Sequence, residues 1–144
     1  AILDGQLIRI GRETMVIPLL NIVVSIQPKK AHVLEVTGET EVYHFRDQYL
    51  PVIRLYETFR IPTDIKELHQ GLLVVTDSGE QRVALFVDEV VGQQQVVIKS
   101  LEANYRQVPG LSGATILGDG TVAMILDIAS LLQHFRTTAQ KKVA

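Results

Sequence analysis

The stretch that decides the fold runs from Gly92 to Asp127: GQQQVVIKSLEANYRQVPGLSGATILGDGTVAMILD. Val96–Leu101 is β-branched and apolar, which is strand chemistry. Ala114–Leu117 and Thr121–Leu126 flank Gly118-Asp119-Gly120, a tight hairpin signal. Between them Asn104–Gly113 carries Pro109 and Gly110 and reads as a loop. The segment is specific in pattern and almost devoid of side chains that do chemistry, which points to a surface that binds another protein.

Working outward toward the C-terminus, Asp127 is placed to cap a closing helix over Ile128–Phe135. Its apolar residues Ile128, Leu131, Leu132 and Phe135 recur at helical spacing. Residues 137–144, TTAQKKVA, read as a frayed tail. Toward the N-terminus the spacing predicts short strands at Leu72–Thr76, Arg82–Val87 and Val90–Val91, with a turn at Asp77–Glu80. Arg60–Gln70 is polar and holds Pro62, so it is the natural linker between two halves. Before it lie strands at Leu7–Ile10, Thr14–Ile17, Ile22–Ile26, His32–Val36, Glu41–Arg46 and Tyr49–Leu55, and a helical turn at Leu55–Phe59. A turn at Thr37-Gly38-Glu39 joins two of them. Many short strands with turns every 8–12 residues predict an all-β barrel or sandwich with one C-terminal helix.

The two halves repeat. GRETMVIPLLNIV from Gly11 lies over GEQRVALFVDEVV from Gly79, a shift of 68, and VIRLYETF from Val52 lies over ILDIASLL from Ile125, a shift of 73. In the second overlay an apolar strand end meets a charge, Arg54 or Asp127, and then an apolar helical turn. The expected organisation is one domain over residues 1–144. Residues 1–69 form a first barrel, and residues 70–136 form a second barrel with the helix.

The 144 residues are 47% hydrophobic and 21% charged, enough apolar material for a core and too much for disorder. A net charge of −2 offers nothing to track phosphates, so nucleic acid is not an expected partner. The absence of cysteine removes disulfides, thiolate metal sites and thiol nucleophiles, and fits a reducing compartment. No apolar run reaches the length of a membrane span. The start, AILDGQLIRIG, is no signal peptide; it lacks a Met and begins mid-pattern, so the chain reads as a piece of a longer protein.

The search for chemistry finds little. His32, His44, His69 and His134 are scattered without metal-ligand spacing. Ser112 lacks the pattern of a nucleophile elbow, and Gly110, Gly113, Gly118 and Gly120 form no phosphate loop. Asp88-Glu89 are neighbours whose side chains diverge, which suits solvation better than acid–base work. No catalytic, metal or cofactor site is expected. The apolar excess is more telling. Ile22, Val23, Val24 and Ile26 are apolar on both faces of their strand, and Val33, Leu34 and Val36 are similar. Either the domain covers both faces itself or a partner covers one.

The wording from Gly92 through Leu132, with ILDG at Ile2–Gly5, VIPLLNIV at Val16–Val23 and YLPVIRL at Tyr49–Leu55, resembles the C-terminal regulatory domain of chemotaxis histidine kinases of the CheA family. The likeness runs from about Ala1 to Phe135. That domain is similar in fold to CheW adaptors, which usually lack the GQQQVVIKSLE and GATILGDG wording. The resemblance implies two pseudo-symmetric, intertwined five-stranded SH3-like barrels, side by side. It implies a cytoplasmic, non-catalytic scaffold without cofactor or membrane insertion. Its partners would be a CheW-type adaptor, the tips of chemoreceptors and the other domains of an ATP-dependent kinase in a two-component phosphorelay. Adaptor contacts would fall on Ile22 and Val36, with Ile26 and Leu34 beside them; a receptor groove would be lined by Val23, Val24 and Val87. A free-standing CheW-type adaptor is the first alternative. A small β-barrel enzyme or ligand-binding protein using the Gly110–Gly120 loop is the second.

Overall fold

The long apolar runs of this chain need cover on both faces, and the topology supplies it. In the computed structural model, which describes residues 1–36, 40–99 and 108–143, the strands are Ile2–Ile10 (β1), Glu13–Pro18 (β2), Ile22–Ile26 (β3), Val33–Val36 (β4), Thr40–Phe45 (β5), Gln48–Arg54 (β6), Leu72–Asp77 (β7), Arg82–Val87 (β8), Glu89–Val97 (β9), Leu111–Ile116 (β10) and Val122–Leu126 (β11). A four-residue helix, Leu55–Thr58 (α1), follows β6, and a long one, Ile128–Val143 (α2), follows β11. The turn expected at 37–39 lies outside the described residues, as do the end of the strand expected over Val96–Leu101 and the start of the loop expected over Asn104–Gly113.

The strands make two sheets, a five-stranded one ordered β10-β11-β2-β1-β9 and a six-stranded one ordered β3-β7-β8-β6-β5-β4. The expected division at residue 69/70 is therefore corrected. Strands β7 and β8 belong with β3–β6, while β1 and β2 belong with β9–β11. The two repeats have exchanged their first hairpins. The physical reason is edge pairing: β2 offers an open edge that β11 takes in parallel, and β8 offers the same edge to β6. The sixth strand, β4, has as its counterpart among the described residues of the other repeat only the Lys99–Ala114 bridge beside β10.

The register makes the duplication concrete. Ile125 pairs with Val16 in one sheet and Val52 with Ala84 in the other, the same pair under the two overlays. Leu7 faces Gly92 and Ile8 faces Val90 across a bulge; Val75 faces Val24 and Thr76 faces Ile22 across another. The bulges fall at equivalent places, so the repeat extends to an irregularity that sequence identity does not reveal.

Three apolar interiors follow from period-2 alternation. Leu7, Val16, Val96, Ala123 and Ile125 fill the five-stranded barrel. Tyr43, Leu50, Val52, Leu73, Val75, Ala84 and Phe86 fill the six-stranded one. The alternate residues of the central strands, among them Ile8, Ile10, Met15, Ile17, Val74, Val83, Leu85 and Val87, meet in a third core between the sheets. Ile128, Leu131 and Leu132 of α2 close that core. Strands β7 and β8 are thus buried on both faces over Leu73–Thr76 and Val83–Val87, as their apolar wording requires, and β1 and β2 over Gly5–Ile8 and Met15–Ile17.

The five-stranded sheet is tied shut at Lys99, which exchanges backbone hydrogen bonds with Ala114 at 2.8 and 3.0 Å. Gly113 permits this approach, because a Cβ there would stand 2.7 Å from the Lys99 carbonyl oxygen. The expected hairpin at Gly118–Gly120 is present. Gly120 has a φ of 85°, and the Asp119 carboxylate accepts hydrogen bonds from the backbone N–H and the hydroxyl of Thr121 at 3.0 and 2.6 Å. Those bonds hold the Asp119 carboxyl below its ordinary pKa.

Two expectations about the ends of elements change. The helix expected to stop at Phe135 continues to Val143, so 137–143 is helical rather than a frayed tail. No Gly or Pro interrupts TTAQKK, and nothing there stops propagation. The linker expected over Arg60–Gln70 is held to the body. Leu68 is buried, and the Thr63 hydroxyl donates to the Asp88 carboxylate at 2.6 Å. The same carboxylate oxygen accepts the Gly11 N–H at 2.8 Å.

Candidate functional site

β4 is an edge strand, and only its first residue, Val33, is partly covered. Val33 packs against the six-stranded interior. Leu34 and Val36 point the other way and remain 44% and 49% exposed, large aliphatic side chains two residues apart on one face. Register then names their neighbours: Leu34 faces Val42, Val42 faces Pro51, and His44 faces Tyr49. The outer face of β4-β5-β6 therefore presents Leu34, Val36, Val42 and Pro51 beside a His44–Tyr49 stack with centroids 4.7 Å apart.

Ile22 and Ile26, expected with Leu34 and Val36, sit on β3 at the opposite edge of the same sheet. Both are half-buried. Ile22 packs toward the core between the sheets, while Ile26, Val23 and Val24 pack toward the six-stranded interior. The bulge between Ile22 and Val24 explains how three consecutive apolar side chains all find cover. Val87 requires a correction. Expected in the receptor groove, it is 0% exposed within the core between the sheets. As the last inward residue of β8 it is out of a partner's reach in this conformation.

Sequence reasoning missed Val42, His44, Tyr49 and Pro51 as parts of the outer face. The alternation of VYHF was visible, but which alternate set lies outside depends on pairing. It also missed the exposed pair Ile116 and Val122 on the β10–β11 hairpin. Under the shift of 73, Val122 stands where Tyr49 stands, and their cross-strand partners are Ile116 and His44. The two barrels thus carry matching outward pairs, one aliphatic and exposed, the other aromatic with Tyr49 exposed and His44 half-buried.

At the inner mouth of the six-stranded barrel, Arg54 grips Glu41 with both arms, Nε to Oε1 at 2.7 Å and Nη2 to Oε2 at 3.1 Å. Its Nη1 donates to the Lys66 carbonyl, and the guanidinium lies 5.4 Å from the centroid of the Phe86 ring. The hydrogen bonds it donates to the Glu41 carboxylate raise the Arg54 pKa further above its ordinary value, so the group is charged at any accessible pH. This is an anchor for the linker. An open polar groove of about 530 Å³ is lined by Gln48, Tyr49, Asp77, Glu80, Gln81 and Arg82. Two of its charged residues pair, Arg82 Nε with Asp77 Oδ2 at 3.6 Å. Among the described residues no three His, Asp or Glu cluster in a way that could hold a metal ion. No helix among them is long and apolar enough to cross a membrane. The arrangement is suited to docking.

Comparison with known proteins agrees with that geometry. A model of the CheW-like domain matches residues 4–136. The chemotaxis protein CheA of Salmonella typhimurium is 44% identical over 131 residues, covering 91% of this chain and 20% of that protein. CheA of Rhizobium meliloti is 39% identical over 143 residues, covering 98% of this chain and 19% of its relative. The chain thus spans about a fifth of the length of the curated relatives it matches. In fold it is similar to the crystal structure of the scaffolding protein TtCheW from Thermoanaerobacter tengcongensis, with a TM-score of 0.73 at 15% identity over 88% of this chain and 89% of the other. With two linked β-barrels of this kind and a match over nearly its whole length, the chain belongs to the CheW-like domain family, in the form carried by CheA.

Proposed function

We propose that this domain is the docking module of a chemotaxis histidine kinase. It binds a CheW-type adaptor and the tips of chemoreceptors in the cytoplasm, and so couples receptor signals to a kinase activity held in other domains of the parent protein. The domain itself is non-catalytic. One observation carries the reading: Leu34 and Val36 stand exposed side by side on an edge strand, with Val42 and Pro51 extending the apolar face. A standing apolar face of this kind is stabilised when a partner removes it from water. Ile22 and Ile26 are the adaptor contacts on the other edge, and Val23 and Val24 border the receptor surface, each through the part of its side chain left accessible.

The test is calorimetric titration of the chain with a purified CheW-type adaptor. Leu34→Glu with Val36→Glu places carboxylates in the interface, at a cost of about 2 kcal/mol or more, which is at least about thirtyfold in affinity. Both positions are exposed in the free chain, so its thermal unfolding should hardly move. Unaltered affinity in the double variant removes this face from the interface.

A further inference from the structure

Two of the four histidines meet on the face just described. His44 is stacked on Tyr49 with ring planes 14° apart. His32, on the short turn that leads into β4, has its ring centroid 5.9 Å from that of His44 and 5.7 Å from that of Tyr43. Both imidazoles are half-buried before any partner arrives. We propose that this pair makes the docking face sensitive to protons: a CheW-type adaptor binds it with both imidazoles neutral, and binds more weakly as falling pH charges them. The inference rests on the docking reading above and adds its regulation.

The argument is one of solvation and neighbours. A partner that covers Leu34, Val36 and Val42 also covers His44, which stands two residues from Val42 on the same face of β5. Covering strips the remaining water and penalises the charged form. A carboxylate could offset this, but the described residues set none on that face. Glu35 of β4 and Glu41 of β5 pair with each other in register on the opposite face, and Glu41 is gripped by Arg54 of β6. The preceding turn contributes Lys29 and Lys30, and the β5–β6 turn contributes Arg46 and Asp47. The two rings lie close enough together for one partner to cover both. The bound state therefore holds fewer protons than the free state across the range where imidazoles charge, roughly pH 5–8, and affinity falls with pH through that range.

The experiment is calorimetry with a purified CheW-type adaptor at pH 7.5, 6.5 and 5.5. The chain as it stands should lose about fivefold or more in affinity between the ends of that range, since a depression of one pKa unit is worth tenfold. The His32→Gln/His44→Gln chain should lose most of the pH dependence, whatever its affinity at pH 7.5; the remainder belongs to the adaptor. In parallel, NMR titration of the unaltered chain should show the His44 imidazole charging at lower pH in the complex than when free. That readout stands even if the double variant folds poorly. A flat affinity, a slope that survives in the folded double variant, or an unmoved His44 titration overturns the inference. Leu34→Glu separates the failures. If it abolishes binding while pH has no effect, only the proton sensitivity falls; if it leaves binding intact, the docking reading falls with it.

Discussion

Arg54 and Asp127 hold equivalent places in the two repeats, each at the junction of a strand with a helix, and the chain does opposite things after them. After β11 the Asp127 carboxylate accepts the Ser130 N–H at 3.1 Å, satisfying one of the free donors of a helix start, and α2 runs for 16 residues. After β6 a guanidinium stands in that place and has no acceptor to offer. α1 stops after four residues, Arg60 adopts a φ of 54°, and Pro62 follows. The next residue is nevertheless the same in kind: Leu55 and Ile128 both enter the core between the sheets. The strand framework tolerates either sequel, and one polar residue at the junction separates a helix from a strapped linker. Arg54 serves that strap by holding Glu41 and the Lys66 carbonyl together.

The sharpest way to break the comparison is to separate the repeats. Cutting the chain after Gln70 yields fragments 1–70 and 71–144, each lacking a hairpin that its own barrel borrows from the other. Neither should melt cooperatively by circular dichroism, and mixing should restore a cooperative transition. A fragment that melts alone would mean that the repeats are independent barrels. A smaller effect is expected from Arg54→Met. It leaves Glu41 without its partner, at a cost of about 2 kcal/mol in denaturant unfolding, and limited proteolysis should then find 60–70 first. Smallest is Asp127→Ala, which removes a cap and should cost about 1 kcal/mol, with faster amide exchange confined to the first turn of α2. If the cap costs more than the strap, the ranking of the two junctions is reversed.

The strands and the duplication were legible because they rest on alternation and turn residues, which are local. Even the register of the parallel pairs is implicit in the two overlays, Val16 over Ala84 and Ile125 over Val52. The exchange of hairpins was not legible. An apolar run tells how many faces are covered and says nothing about which edge a strand joins. The same gap explains the site. Leu34 and Val36 stood out as excess apolar residues, whereas His44 and Tyr49 join them only through pairing between β4, β5 and β6. Val87 is equally apolar in wording, and only the packing of β8 against the other sheet places it beyond contact. The helix outruns the stop expected at Phe135 because continuation needs only the absence of a breaker.

The exchanged hairpins also decide which barrel can move. β1, the first strand, and β11, the last, lie in the same five-stranded sheet. The chain therefore leaves that barrel, builds the six-stranded one from β3 to β8, and returns. Anything joined to the N-terminus would hang from the five-stranded barrel, and anything joined to the C-terminus from α2, which closes the core between the sheets. The six-stranded barrel, with Leu34 and Val36 on its outer strand, is a doubled-back excursion carrying no tether of its own. A force applied through the termini would load β1 and α2 and reach the six-stranded barrel across the shared apolar core.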